Sequence, residues 1–163
     1  MKLVIDTNVV IAYVLSPSPG KSSNFLICDR IINEFDSAYI NDALYGELMR
    51  HMEPSQEFID KLIDDKTRKI YKKIKDIKPE YKKARFDPYR SKLNFVETQK
   101  LDANPEALSD VGNDWHLISI ANEINADYII THNLNHVLKY SIDYDFNRER
   151  VIKPVEYMQL IRK

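Results

Sequence analysis

Residues 2–15 read KLVIDTNVVIAYVL, and the odd member is Asp6. Leu3, Val4 and Ile5 form a short apolar run with β-branched members, the mark of a buried strand. A carboxylate at the end of such a run, followed at once by Thr7 and Asn8, has two readings. It is a solvated turn or capping residue, or it is a functional group held at a strand end. Thr7 is placed to cap a helix carrying Val9, Val10, Ile11 and Val14.

Working outward, SPSPG (16–20) ends that helix. Ser22 or Ser23 caps a second, over about 23–35, with Phe25, Leu26, Ile32 and Phe35 as its apolar stripe. SAYI (37–40) is a strand candidate, and Asn41 or Asp42 caps a helix through about Met52. Ile59, Ile63, Ile70, Ile74 and Ile77 keep near-helical phase from 55 to about 78, where Pro79 interrupts. NFVETQ (94–99) is a further strand candidate, residues 113–124 a helix, DYII (127–130) a strand and RVI (150–152) the last strand. Pro154 opens a final helix at the favoured N1 position. Strands alternating with helices imply parallel βαβ units, hence an α/β fold of three layers with a parallel sheet of about five strands. No repeat, low-complexity tract or linker divides residues 1–163, so one domain is expected.

Composition narrows the class. The chain has 163 residues, 44% of them hydrophobic, only 3 Gly, and a net charge of −1. Cys28 is the only cysteine, which excludes an intramolecular disulfide and any cysteine-only zinc site. Asp6 and Asn8 break the N-terminal apolar run, so it is no signal peptide. No segment approaches the roughly 18 apolar residues of a membrane span. A cytoplasmic protein without a membrane partner is the expectation.

In parallel sheets, ligand sites collect at the carboxyl ends of the strands. Asp6 ends the first strand, and Thr131-His132-Asn133 follows DYII, so parallel neighbours would share one rim. Asp114 lies on a helical face with Leu117, Ile118 and Ala121. Its plain reading is a first-turn acid complementing the helix dipole. Glu47 lies between Leu44 and Leu48, and its plain reading is a boundary glutamate. Taken together, Asp6, Glu47 and Asp114 are three acids from distant segments in apolar surroundings, with Asp110 a fourth candidate. Such carboxylates repel one another and resist burial, so a cation should compensate. An all-oxygen set suits a hard divalent ion, Mg²⁺ or Mn²⁺.

These pieces resemble the PIN domain, a family of metal-dependent ribonucleases that includes VapC-type toxins. The resemblance rests on VIDTNVV (4–10), the helix bearing Glu47 after YIND, SDVGNDWHLISIANEINADYIITHN (109–133), and VIKPVEYMQLI (151–161), in family order. It implies an acidic metal site on the sheet's C-terminal rim. Asp6, Glu47, Asp114 and Asp110 are then metal-holding acids of an endoribonuclease. Thr7 and Asn8 are the polar residues of the first loop. Asn133 stands where many members carry an aspartate, a departure that supplies oxygen without charge and weakens the case for a second tightly held metal. The resemblance also suggests an antitoxin protein and a second copy of the chain as partners.

From Lys66 to Arg90 there are eleven basic residues against three acids, a local charge of +8 inside a basic helical segment at about 55–90. Lys72 and Lys73 are representative, and Tyr71, Tyr81, Phe86 and Tyr89 interleave. Cations there can neutralise RNA phosphates while rings stack on bases; an ordinary solvated face is the alternative. Thr131 and His132 are further substrate contacts in this reading, and His51, four residues after Glu47, has the spacing to share a metal. PGKSS (19–23) lacks the earlier glycine of a phosphate-binding loop, having Leu15 there. The competing functions are a non-catalytic RNA-binding or regulatory module and a metal-dependent phosphatase for small substrates.

Overall fold

The computed structural model describes residues 1–17, 20–98 and 114–162. Its sheet has the order β3-β2-β1-β4-β5 and is parallel throughout: β1 (Lys2–Ile5), β2 (Ser37–Ile40), β3 (Leu93–Phe95), β4 (Tyr128–Ile130) and β5 (Val151–Ile152). Helices lie on both faces, giving three α/β/α layers. Leu3, Val4 and Ile5 are buried on both sides because β1 is the central strand, which explains why its sequence is continuously apolar rather than alternating. The described part of NFVETQ is a strand only as far as Phe95, and Gln99 lies outside the described residues.

The helices are α1 (Thr7–Leu15), α2 (Ser23–Ile32), α3 (Asp42–Met52), α4 (Gln56–Asp60), α5 (Asp65–Asp76), α6 (Pro79–Arg90), α7 (Asp114–Ile124), α8 (Leu134–Asp143) and α9 (Pro154–Leu160). α2 packs against α1, α6 and α9, while α7 lies on β1 and β4 and meets α3 and α8. Four sequence readings need correction. Asp6, not Thr7, occupies the N-cap of α1, and Thr7 is the buried first residue of the helix. α2 stops at Ile32 because Glu34 turns the chain through φ 62°, so Phe35 is exposed and the buried stripe is Ile27, Cys28 and Ile31. The stretch from 55 to 78 is two helices, since Ser55 and Asp64 each cap one through the amides of Phe58 and Thr67. Ile63 falls in the break and is 96% exposed. Pro79 then starts α6 rather than merely ending what precedes it.

The Asn41 cap aims α3. Its side-chain oxygen accepts from Leu44 N–H at 2.9 Å, and its amide donates to Thr98 Oγ1 at 2.9 Å. Asn41→Ala removes both bonds and should cost about 1–2 kcal/mol. The expected fall in Tm is roughly 3–6 °C, read in a thermal melt. An unchanged melt would mean that packing of Leu44 and Leu48 alone fixes the helix.

Candidate functional site

The parallel pairing of β1 with β4 brings residues 6 and 131 to one rim. Asp6 N–H donates to Ile130 O at 3.0 Å, and Thr131 N–H to Ile152 O at 3.1 Å, so the ladder runs up to the site itself. Thr131 Oγ1 donates to Asp6 Oδ2 at 2.5 Å, and Asn8 Nδ2 donates to the same oxygen at 2.7 Å. Asn133 N–H in turn donates to Thr131 Oγ1 at 2.9 Å. Thr131 is wholly buried, with its hydroxyl engaged on Asp6 rather than exposed at the surface. Thr7 is buried as well, and its hydroxyl has no hydrogen-bond partner among the described residues. Asn8, half-buried, and His132, exposed, remain accessible from outside.

Burial raises the pKa of Asp6, opposed by the hydrogen bonds from Thr131 and Asn8. Glu47 joins from α3, flanked by the buried Leu44 and Leu48. Asp114 joins from the first turn of α7, whose Leu117, Ile118 and Ala121 face the core as their spacing implies. Its carboxyl is pushed up to about 7, first by burial and then by the negative charges of Asp6 and Glu47. Three acids from β1, α3 and α7 therefore share one electrostatic field. Tyr71 of α5 lies in it too: burial, then Glu47 and Asp6, push its phenol up to about 12. Among the described residues no Lys or Arg forms an ion pair with Asp6 or Asp114; His136 Nδ1 lies 3.6 Å from Asp114 Oδ2. Asp110 lies outside the described residues.

This donor set is chemically suited to a hard cation. It offers carboxylate and hydroxyl oxygen, and an acid kept from ionising by its neighbours is relieved when a positive ion arrives. Among the described residues, however, no three His, Cys, Asp or Glu side chains close into a cage.

The sequence pattern of the PIN domain matches residues 2–135, taking in the strand, both helices and the rim that carry these groups. The chain belongs to the PIN domain family. A nuclease-type fold and nucleic acid as the class of ligand come with it. No curated protein is similar enough to the chain to count as a match.

Around the rim this PIN domain departs from its sequence reading in instructive ways. Lys72 and Lys73 are exposed on α5. Lys82 and Arg85 point inward: Lys82 Nζ donates to Met52 O at 2.8 Å, and the Arg85 guanidinium stacks on Phe25, Tyr81 and Tyr13. Tyr71, Phe86 and Tyr89 belong to the core, leaving Tyr81 as the exposed ring of the four. His51 is packed between Phe58 and Tyr71, with its Nδ1 bonded to Tyr71 Oη at 3.0 Å. Burial lowers its pKa to about 4, so it is a neutral structural imidazole. The buried Cys28 thiol is driven well above its ordinary range and stays protonated. No helix among the described residues is long and apolar enough to cross a membrane.

Proposed function

We propose that this PIN domain is a Mg²⁺- or Mn²⁺-dependent endoribonuclease that hydrolyses RNA phosphodiester bonds. The observation that carries the reading is the coupled acid set: Asp114 resists ionisation first because it is buried and then because Asp6 and Glu47 share its field. A divalent ion bound there lowers the pKa of a water and neutralises charge on the scissile phosphate. Asp6, Glu47 and Asp114 supply the charge that holds such an ion, with Asp110 as a further ligand. Thr131 and Asn8 fix the Asp6 carboxylate, and Asn133 orients Thr131 through its backbone. His132 and the exposed lysines of α5, Lys72 and Lys73 among them, offer cationic or polar contacts to the strand. The biological setting we propose is the toxin of a toxin–antitoxin pair in the cytoplasm, with an antitoxin protein and a second copy of the chain as partners.

The test is cleavage of mixed single-stranded RNA by the purified protein in Mn²⁺, Mg²⁺ or EDTA. Cutting with either metal and none in EDTA is the expected result; equal cutting in EDTA would sink the metal-dependent reading. One observation favours a second reading, a non-catalytic RNA-binding module. Asn133 stands exposed at the rim and adds no charge to it. RNA retained but uncut with every metal is the signature of that alternative.

A further inference from the structure

His132 is the rim residue that the proposed chemistry leaves without a defined task. Two hydrogen bonds fix it, one from each side. Its backbone N–H donates to Asn8 Oδ1 at 3.4 Å, and the Asn8 amide donates in turn to Asp6 Oδ2 at 2.7 Å, so one side chain separates His132 from the first acid. From the other direction its ring is held by α2, where Asn24 Oδ1 lies 2.8 Å from His132 Nε2. Asn24 stands in the first turn of that helix. His132 also borders two clefts, one shared with His136 and Lys153 and one lying between α1 and α5.

The Asn24 contact decides which nitrogen carries the proton. An amide oxygen only accepts, so Nε2–H is the donor of this bond. In the neutral ring Nδ1 is then a bare acceptor, and it has no hydrogen-bond partner among the described residues. Desolvation lowers the pKa of the ring; Asp6 opposes this and Lys153 assists it, so the neutral form prevails at pH 7. Such an acceptor gains nothing from a polyanion as such. Phosphate oxygens have no hydrogen to give it, and neither do the carboxylates of an acidic peptide. It needs a donor. The sugar–phosphate chain of a nucleic acid carries one beside each phosphate, the 2′-hydroxyl, and carries it only when the sugar is ribose.

We infer that His132 is a specificity residue whose Nδ1 accepts a hydrogen bond from the ribose 2′-hydroxyl of a nucleotide bound at the rim, and that Asn24 is the positioning residue that fixes its tautomer. The inference rests on the nuclease reading of the rim and assigns the choice of RNA over DNA to two side chains rather than to charge. A deoxy sugar would leave Nδ1 facing the strand without a partner, which is how a site built around one hydrogen bond rejects the analogue that cannot make it.

The test uses Asp6→Asn protein, so that strands stay uncut, in Mg²⁺ at fixed salt. Fluorescence anisotropy compares three ten-nucleotide single strands of one mixed sequence, built with ribose, 2′-fluororibose or deoxyribose. Fluorine keeps a ribose-like pucker but has no hydrogen to give. The ribose strand should bind about tenfold more tightly than the other two. Adding His132→Leu, which has no acceptor, or Asn24→Leu, which frees the ring, should bring that ratio close to one. A merely structural role for either residue would weaken all three strands alike and leave the ratio standing. Equal binding of the ribose and fluoro strands before either addition overturns the inference, as does a ratio that survives His132→Leu; a ratio that survives Asn24→Leu removes Asn24 from the assignment. If the native protein cuts RNA with metal yet the ratio is one, the sugar assignment fails alone. If the ratio is present and depends on His132 while no metal supports cutting, the nuclease reading fails and the sugar contact stands. Neither binding nor cutting of any strand overturns both.

Discussion

Asp6→Asn should reduce metal-dependent RNA cleavage by more than about 100-fold, the upper end of what losing even an outer partner of a metal ligand costs. The substitution is nearly isosteric. Its side-chain oxygen can still accept from Thr131, which now donates at 2.5 Å, so the rim keeps its shape. What disappears is one full negative charge at the centre of the acid set. Folding should not suffer, because burial already works against that charge, and the Tm of the metal-free variant should equal or exceed that of the parent. Cleavage rate and melting temperature are measured together. Full activity in the variant would remove Asp6 from the reaction, and a collapsed melt would make its role structural.

A second large effect concerns Asp114 in the absence of metal. Its folded pKa is about 7 against a free value of 3.8, so between those values the folded protein holds a proton that the unfolded chain releases. Stability therefore falls as pH rises from about 4 to 7 and levels off above. The full shift corresponds to at most about 4 kcal/mol, and the 21% of the side chain still exposed reduces it. Asp114→Asn removes the penalty. Without metal at pH 8 the variant should melt several degrees above the parent, and the difference should vanish near pH 4. Mn²⁺ should raise the Tm of the parent more at pH 8 than at pH 5, and that of the variant little. Melting curves for the two proteins that stay parallel from pH 4 to pH 8 would show that Asp114 does not sit in a shared negative field.

The fold was legible where local chemistry and tertiary role agree. LVI is apolar because it lies at the centre of a parallel sheet, and Asn41 and Pro154 sit where helix starts require them. Legibility failed where one residue type serves two environments. The isoleucines of 55–78 suggest one helix, but Asp64 prefers to cap a new one. The aromatic rings of the basic tract look like base-stacking platforms, yet Tyr71, Phe86 and Tyr89 are core residues. α8 carried a helical signal in Leu134, Val137 and Leu138 that its polar opening, Asn133 to His136, obscured. At the site, the acids could be found because carboxylates in apolar faces are costly. The buried hydrogen bond from Thr131 to Asp6 could not, since a threonine after a strand has no distinctive signal.

The bond between Asp6 and Thr131 spans 125 positions of sequence, and β4 must dock beside β1 before it can form. Contacts of such separation are slow to make and come after local structure. During synthesis, the first carboxylate of the rim emerges early with only its neighbour Asn8 to hold it, and Thr131 follows when more than three quarters of the chain has been made. A partial chain thus carries Asp6 and Glu47 without the geometry that joins them to Asp114. Any chemistry that needs the three acids together is therefore withheld until β4 lies beside β1.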